Sequence, residues 1–312
     1  MFKLDLKRLG IVAGLSLSLV AAGCGSDEGS EGNNNGDGNN SDGGNSSAAV
    51  GEELDYTITG IDAGSGVVGA AKKSIDEYGL EGWEVQTSSG AAMTQALGDA
   101  IEDEEPIIVT GWTPHWKFAK YDLKYLEDPK KVFGGEEKIK SMARSGLKDE
   151  KPNLYKILDQ FNWEASDMES VMLEIENGTP EEEAAKNWIK ENQDKVDEWT
   201  KGTDKVDGVE AKIAYVAWAS EIASANVIKA VLNEQGFNTE IKQLDNGVMW
   251  QAVAEGEADG MVAAWLPGTH GDLYDSYKDQ LEDLGANLEG AKIGLVVPSY
   301  MEVSSIEDLK GE

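Results

Sequence analysis

The 312-residue sequence predicts an α/β fold arranged as two lobes. Three observations predict it. Two stretches share a β-α-β-α-β order, both finish on a tryptophan followed two residues later by proline, and a helix-rich segment lies between them. In the first stretch Tyr56 to Ile61 reads as a strand, Gly64-Ser65-Gly66 as a turn, and Val67 to Tyr78 as a helix. Trp83 to Gln86 follows as a strand, Ala91 to Ile101 as a helix, and Pro106 to Thr110 as an apolar strand. The second stretch reads as strand Ile213 to Ala217, a turn over Trp218 to Ser220 and a helix from Ile222 to Gln235. It continues with strand Thr239 to Lys242, helix Val248 to Glu255 and strand Asp259 to Ala264. Strands that alternate with helices form parallel sheets covered by those helices, and loops at the strands' carboxyl ends make the ligand crevice.

Between the two stretches, Glu136 to Trp199 is expected to be helical, with helices over Lys151 to Phe161, Ser166 to Glu176 and Pro180 to Trp199. Ser166-Asp167-Met168-Glu169 has the form of a capping box, and Pro180 suits a first helical position. No nucleophile or metal-ligand set stands out in this segment, so it is expected to buttress one lobe.

The amino terminus carries its own instructions. Lys3, Lys7 and Arg8 precede an apolar run from Ile11 to Ala22, then Ala21-Ala22-Gly23-Cys24. A charged start, about a dozen apolar residues and a small-residue cleavage site describe an export signal. The run falls short of the ~20 apolar residues that span a bilayer. Small residues leading into a cysteine resemble a bacterial lipobox, with Ala21 where leucine is usual, so Cys24 is expected to be lipidated and to begin the mature chain. Gly, Asn, Ser, Asp and Glu dominate residues 25–53, too polar to fold alone, so a flexible tether reaching on the order of 30 Å is expected there.

Acidic residues outnumber basic ones 59 to 27, a formal net charge of -32. Such a surface repels nucleic-acid phosphates and anionic lipid headgroups, which excludes both as partners. It fits a protein working in a salty or alkaline exterior. One cysteine excludes an internal disulfide. Gly-x-Ser-x-Gly, His-Glu-x-x-His and paired-cysteine spacings are all absent, so no catalytic residue, metal site or cofactor is expected.

Gly111-Trp112-Thr113-Pro114 and Ala264-Trp265-Leu266-Pro267 close the two stretches, and Trp218 ends a strand of the second. Three indoles at strand ends can box an alkylated cation, because the indole face is the strongest aromatic partner for positive charge. A zwitterion also needs donors for its carboxylate. Gly64-Ser65-Gly66 before a helix can present backbone N–H groups, and His270 beyond Trp265 can donate as well.

Those residues match a known pattern. Gly111-Trp112-Thr113-Pro114-His115-Trp116-Lys117-Phe118, Ala214-Tyr215-Val216-Ala217-Trp218, Ser220-Glu221-Ile222-Ala223-Ser224 and Ala264-Trp265-Leu266-Pro267-Gly268-Thr269-His270 resemble the glycine betaine-binding proteins of ABC transporters. Tyr125-Leu126-Glu127-Asp128-Pro129 and Gly294-Leu295-Val296-Val297-Pro298 fit the same family. The resemblance implies a periplasmic-binding-protein-like (type II) clamshell with the ligand between the lobes. It implies a prism of Trp112, Trp218 and Trp265 around a trimethylammonium, with His270 and the amides of Gly66 and Val67 on the carboxylate. It also implies an extracytoplasmic lipoprotein that serves a membrane permease and takes up osmoprotectants. Proline betaine, carnitine, choline or ectoine are alternative guests; a ligand-sensing lipoprotein or a lipid-anchored enzyme acting on quaternary amines are alternative roles. The order of the halves resembles a circularly permuted arrangement, so the segment from Ser305 to Lys310 should pack with the first half. Ala219 stands where relatives often carry Asp, which puts lobe closure in question.

The expected organisation is a signal peptide over 1–24, a tether over 25–53, one lobe from 54–116 with 298–312, and a second lobe from 117–297 that includes the helical segment 136–200.

Overall fold

The computed structural model describes residues 47–310. The expected signal segment, Cys24 and most of the expected tether lie outside the described residues. Part of that tether is not loose: α1 (Ser47–Glu53) is a helix. Val50 and the following Leu54 are buried, which gives this short helix an apolar anchor that the polar composition around it conceals.

The first α/β unit runs β1 (Thr57–Gly60), α2 (Gly66–Tyr78), β2 (Glu84–Thr87), α3 (Gly90–Glu102) and β3 (Val109–Thr113). A short α4 (Lys117–Lys120) and β4 (Leu123–Tyr125) follow. β1 pairs in parallel with both β2 and β3. Helix α3 starts where Ser89 accepts the Ala92 N–H at 3.2 Å, an ordinary side-chain cap.

The middle segment departs from the helical expectation at its start. Glu137–Arg144 is a strand, β5, antiparallel to two later strands, β8 (Gly260–Leu266) and β9 (Leu281–Pro298). Its charged residues favour helix by propensity, but Ile139, Met142 and Ala143 are buried between neighbouring strands, and that packing prevails. Then come α5 (Leu147–Glu150), α6 (Pro152–Gln160), α7 (Ala165–Glu176), α8 (Glu181–Glu191) and α9 (Gln193–Trp199). Helix α7 begins earlier than the capping-box reading: Glu164 and Asp167 form the box, and Glu164 N donates to Asp167 Oδ2 at 2.9 Å. The single helix expected from Pro180 to Trp199 is two, broken at Asn192, whose side chain donates to the Trp188 carbonyl at 2.9 Å. The break lets Trp188 stack on Trp199 at 5.6 Å, with Trp163 edge-on to Trp188.

The second unit is β6 (Val209–Tyr215), α10 (Ala219–Glu234), β7 (Phe237–Gln243), α11 (Asn246–Ala254), β8 (Gly260–Leu266), α12 (Gly271–Tyr277) and β9 (Leu281–Pro298). β6 is parallel to β7 and β8. The strand order is β2-β1-β3-β9-β5-β8-β6-β7, with β4 also on β9.

Strand β9 joins the two halves. Leu281 to Ala291 pairs with β5, whereas Lys292 to Pro298 pairs with β3 and β4. Gly290, at φ 79°, sits where one pairing gives way to the other, a backbone turn that glycine adopts without steric cost. Residues 117–126 and 292–297 therefore pair or pack with the first unit, where the expected boundary put them in the second. The carboxyl end returns to the first unit too: Trp83 Nε1 donates to the Leu309 carbonyl at 3.2 Å, and Ile306 and Leu309 are buried.

Candidate functional site

The loops at the carboxyl ends of β1, β3, β6 and β8 meet across the gap between the units. Trp112 is on β3, Trp218 is the extended residue before α10, and Trp265 is on β8. All three are buried. They line one small cavity together with Ser65, Gly66 and Val67 at the start of α2, and with Ser220 and Thr269. A Cβ on Gly66 would come within 3.0 Å of the Thr269 carbonyl carbon, so only glycine lets α2 approach the opposite loop so closely. The first amides of α2 have no intrahelical acceptor and carry the positive end of the helix dipole.

Each indole is held differently. Trp218 Nε1 donates to Asp62 Oδ2 at 2.9 Å, from the second unit to the first. Asn246 Nδ2 makes a parallel link to the Gly64 carbonyl at 3.2 Å. Trp265 Nε1 donates to Glu221 Oε1 at 3.0 Å. Burial pushes the Glu221 carboxyl up to about 8, against the opposing pull of the indole hydrogen bond, so it is protonated at neutral pH. Trp112 has Lys117 Nζ 4.7 Å from its ring centroid and His115 edge-on at 4.6 Å. Lys117 is wholly buried; among the described residues its ammonium makes one hydrogen bond, to the Thr110 carbonyl at 3.3 Å, and burial lowers it to about 7.

His270 is buried and stacks on Trp218 at 6.1 Å between ring centroids. Its Nδ1 accepts the Trp265 N–H at 3.1 Å, which assigns the ring proton to Nε2. Burial pushes the imidazole down to about 3, so it stays neutral. Nε2 finds no partner among the described residues. It is a buried donor with no acceptor among the described residues, where buried polar groups are ordinarily paired. His115, its counterpart in the first unit, likewise accepts a backbone N–H, from Lys117 at 3.1 Å, but packs against Trp112 and Trp116. The loop that carries His270 is anchored by Glu137. Its Oε1 accepts the N–H groups of Gly268 and Thr269, each at 2.6 Å, and its Oε2 takes the Thr269 hydroxyl.

The sequence did not single out Asp62 or Glu137, and its motifs contain Lys117, Ser220 and Glu221 without giving them a role. Glu137 was hidden by the helical reading of its segment. Ser220 and Glu221 adjoin Trp218, and that adjacency was the available signal. Among the described residues no group of His, Cys, Asp and Glu forms a metal site, and no helix is long and apolar enough to cross a membrane.

Two α/β units linked by a shared strand, with an indole-lined cavity where their loops meet, define a clamshell binding protein of the type II periplasmic class. The chain belongs to the family described as the substrate binding domain of ABC-type glycine betaine transport systems, which matches residues 40–191 and 210–312. The glycine betaine/carnitine transport binding protein GbuC of Listeria monocytogenes is 55% identical over 264 residues, 84% of this chain and 88% of that protein. A lactococcal OpuAC, solved closed with glycine betaine, is 49% identical over 47% of this chain and 58% of its own, with a TM-score of 0.42. A choline-binding protein solved with choline is 28% identical over 50% of this chain and 56% of its own, with a TM-score of 0.44. Both alignments span a little over half of the solved chains. Membership makes this chain the substrate-binding component of an ABC transporter of the glycine betaine class, acting outside the cytoplasm.

Proposed function

We propose that the protein captures glycine betaine between Trp112, Trp218 and Trp265 and presents it to a membrane permease for osmoprotectant uptake. The trimethylammonium cannot donate hydrogen bonds and is weakly hydrated, so indole faces suit it better than a carboxylate. The carboxylate is taken by His270 Nε2–H and by the amides of Gly66 and Val67 at the start of α2. The single observation that carries this reading is the His270 tautomer. Its buried Nε2–H has no acceptor among the described residues, beside a cavity walled by three indoles. Cys24 is the lipid attachment point that keeps the protein at the membrane. Carnitine is the second guest, on the strength of what the Listeria relative is described as binding.

Calorimetric titration of the purified protein with glycine betaine, carnitine and choline tests this. Saturable one-to-one binding of the carboxylate-bearing ligands, with choline far weaker, is the expected result. Equal affinity for choline would remove the carboxylate site from the account.

A further inference from the structure

Helix α2 is not the only helix that begins at the cavity. Trp218 is the residue before α10, and Ser220 is the second residue of that 16-residue helix. Ser220 is 2% exposed and lines the cavity beside Trp218 and Trp265. Its hydroxyl has no hydrogen-bond partner among the described residues. Buried hydroxyls nearly always have one, and Ser224 one turn later does, donating to the Glu221 carbonyl at 3.3 Å. The unpaired hydroxyl therefore stands at the positive end of a helix dipole and at the wall of a ligand cavity.

The chemistry of the guest decides what this hydroxyl meets. A betaine's strong hydrogen-bond acceptors are its carboxylate oxygens, and its cation offers only C–H groups. We propose that Ser220 Oγ donates a hydrogen bond to the ligand carboxylate, making the first turn of α10 a second arm of the anion site opposite α2. The inference rests on the betaine reading above. Glu221, the next residue, does not oppose it. Its carboxyl is kept protonated by burial, so no negative charge stands in that turn to repel a carboxylate. The two arms belong to different units, so the carboxylate would draw both helix starts together as the lobes close.

The test compares the parent protein with Ser220→Ala, using glycine betaine and tetramethylammonium as probes. A hydrogen bond to a charged group predicts about a 10-fold or greater loss of glycine betaine affinity. Tetramethylammonium, which has no acceptor, should bind both proteins equally, and this shows that the variant's cavity is intact. Unchanged glycine betaine affinity in Ser220→Ala overturns the inference. So does an equal loss for both probes, which would assign the hydroxyl to packing or to the cation. A parent that binds tetramethylammonium but not glycine betaine overturns the betaine reading itself, and the inference with it.

Discussion

Trp218 and Asp62 are 156 residues apart in the chain, yet the indole Nε1 of one lies 2.9 Å from the carboxylate of the other, across the boundary between the two units. A wall of the cavity is thereby fastened to the opposite lobe. On the proposed function, ligand capture and lobe closure would use the same side chain, and Trp218 would couple them directly. Closure is favoured only to the extent that the ligand binds the closed form more tightly. The Asp62 link also bears on Ala219: a carboxylate that joins the lobes is supplied from the first unit.

Asp62→Ala removes that link without touching the indole faces. Glycine betaine affinity should fall about 10-fold, the scale of one hydrogen bond to a charged group. Stopped-flow measurements should put most of the loss in faster dissociation. Unaltered dissociation would mean that the bond does not hold the lobes.

Trp265→Ala should lose about 1–3 kcal/mol of glycine betaine affinity through cation–π contact and burial. Trp265→Phe should lose less, keeping an aromatic face but giving up the hydrogen bond to Glu221. Titration calorimetry ranks the three proteins, and a parent-like alanine variant would remove Trp265 from the prism.

Glu221 makes stability depend on pH. Its carboxyl titrates near 8 when folded, against an ordinary value of 4.5, so between those limits the folded state holds a proton that the unfolded state has released. Stability should therefore fall as pH rises from about 4.5 to about 8. In Glu221→Gln that contribution is absent. Thermal melts at pH 5 and pH 8 should show a larger drop for the parent than for the variant.

Lys117 acts with the opposite slope. Its ammonium titrates near 7 when folded and 10.5 ordinarily, so in that interval the unfolded state binds more protons and stability rises with pH. Lys117→Met removes the buried charge while keeping a long apolar stem. The variant should gain most over the parent at pH 6, with the gain shrinking toward pH 10. A gain independent of pH would show that the ammonium is not the source.

Glu137→Ala leaves the N–H groups of Gly268 and Thr269 without their acceptor. Loss of buried hydrogen bonds to a carboxylate should cost roughly 2–3 kcal/mol of stability. Ligand affinity should also weaken, because the same loop carries His270. Denaturant unfolding measures the first effect and calorimetry the second.

Much of this site is legible in the chain itself. Trp112 and Trp265 stand at ends of apolar strands within a repeated Trp-x-Pro pattern, and Gly66 and Val67 open a helix after a glycine-rich turn. These are local signals, set by periodicity and turn chemistry. Glu137 was not legible in the same way. Its segment has the composition of a helix, and only its place between β8 and β9 makes it a strand with a carboxylate aimed at the Gly268 loop.

The sequence alone determined the alternation of strands and helices, the three indoles, the histidine and the acidic character of the chain. It did so because hydrophobic period, turn residues and side-chain chemistry act over a few residues. The tertiary structure alone decided that β9 serves both units, that Asp62 reaches Trp218, and that Glu221 and Lys117 lie buried beside Trp265 and Trp112 in altered protonation states. Those facts depend on burial and on contacts between residues far apart in the chain, and no local pattern encodes the desolvation that shifts a buried carboxyl or ammonium.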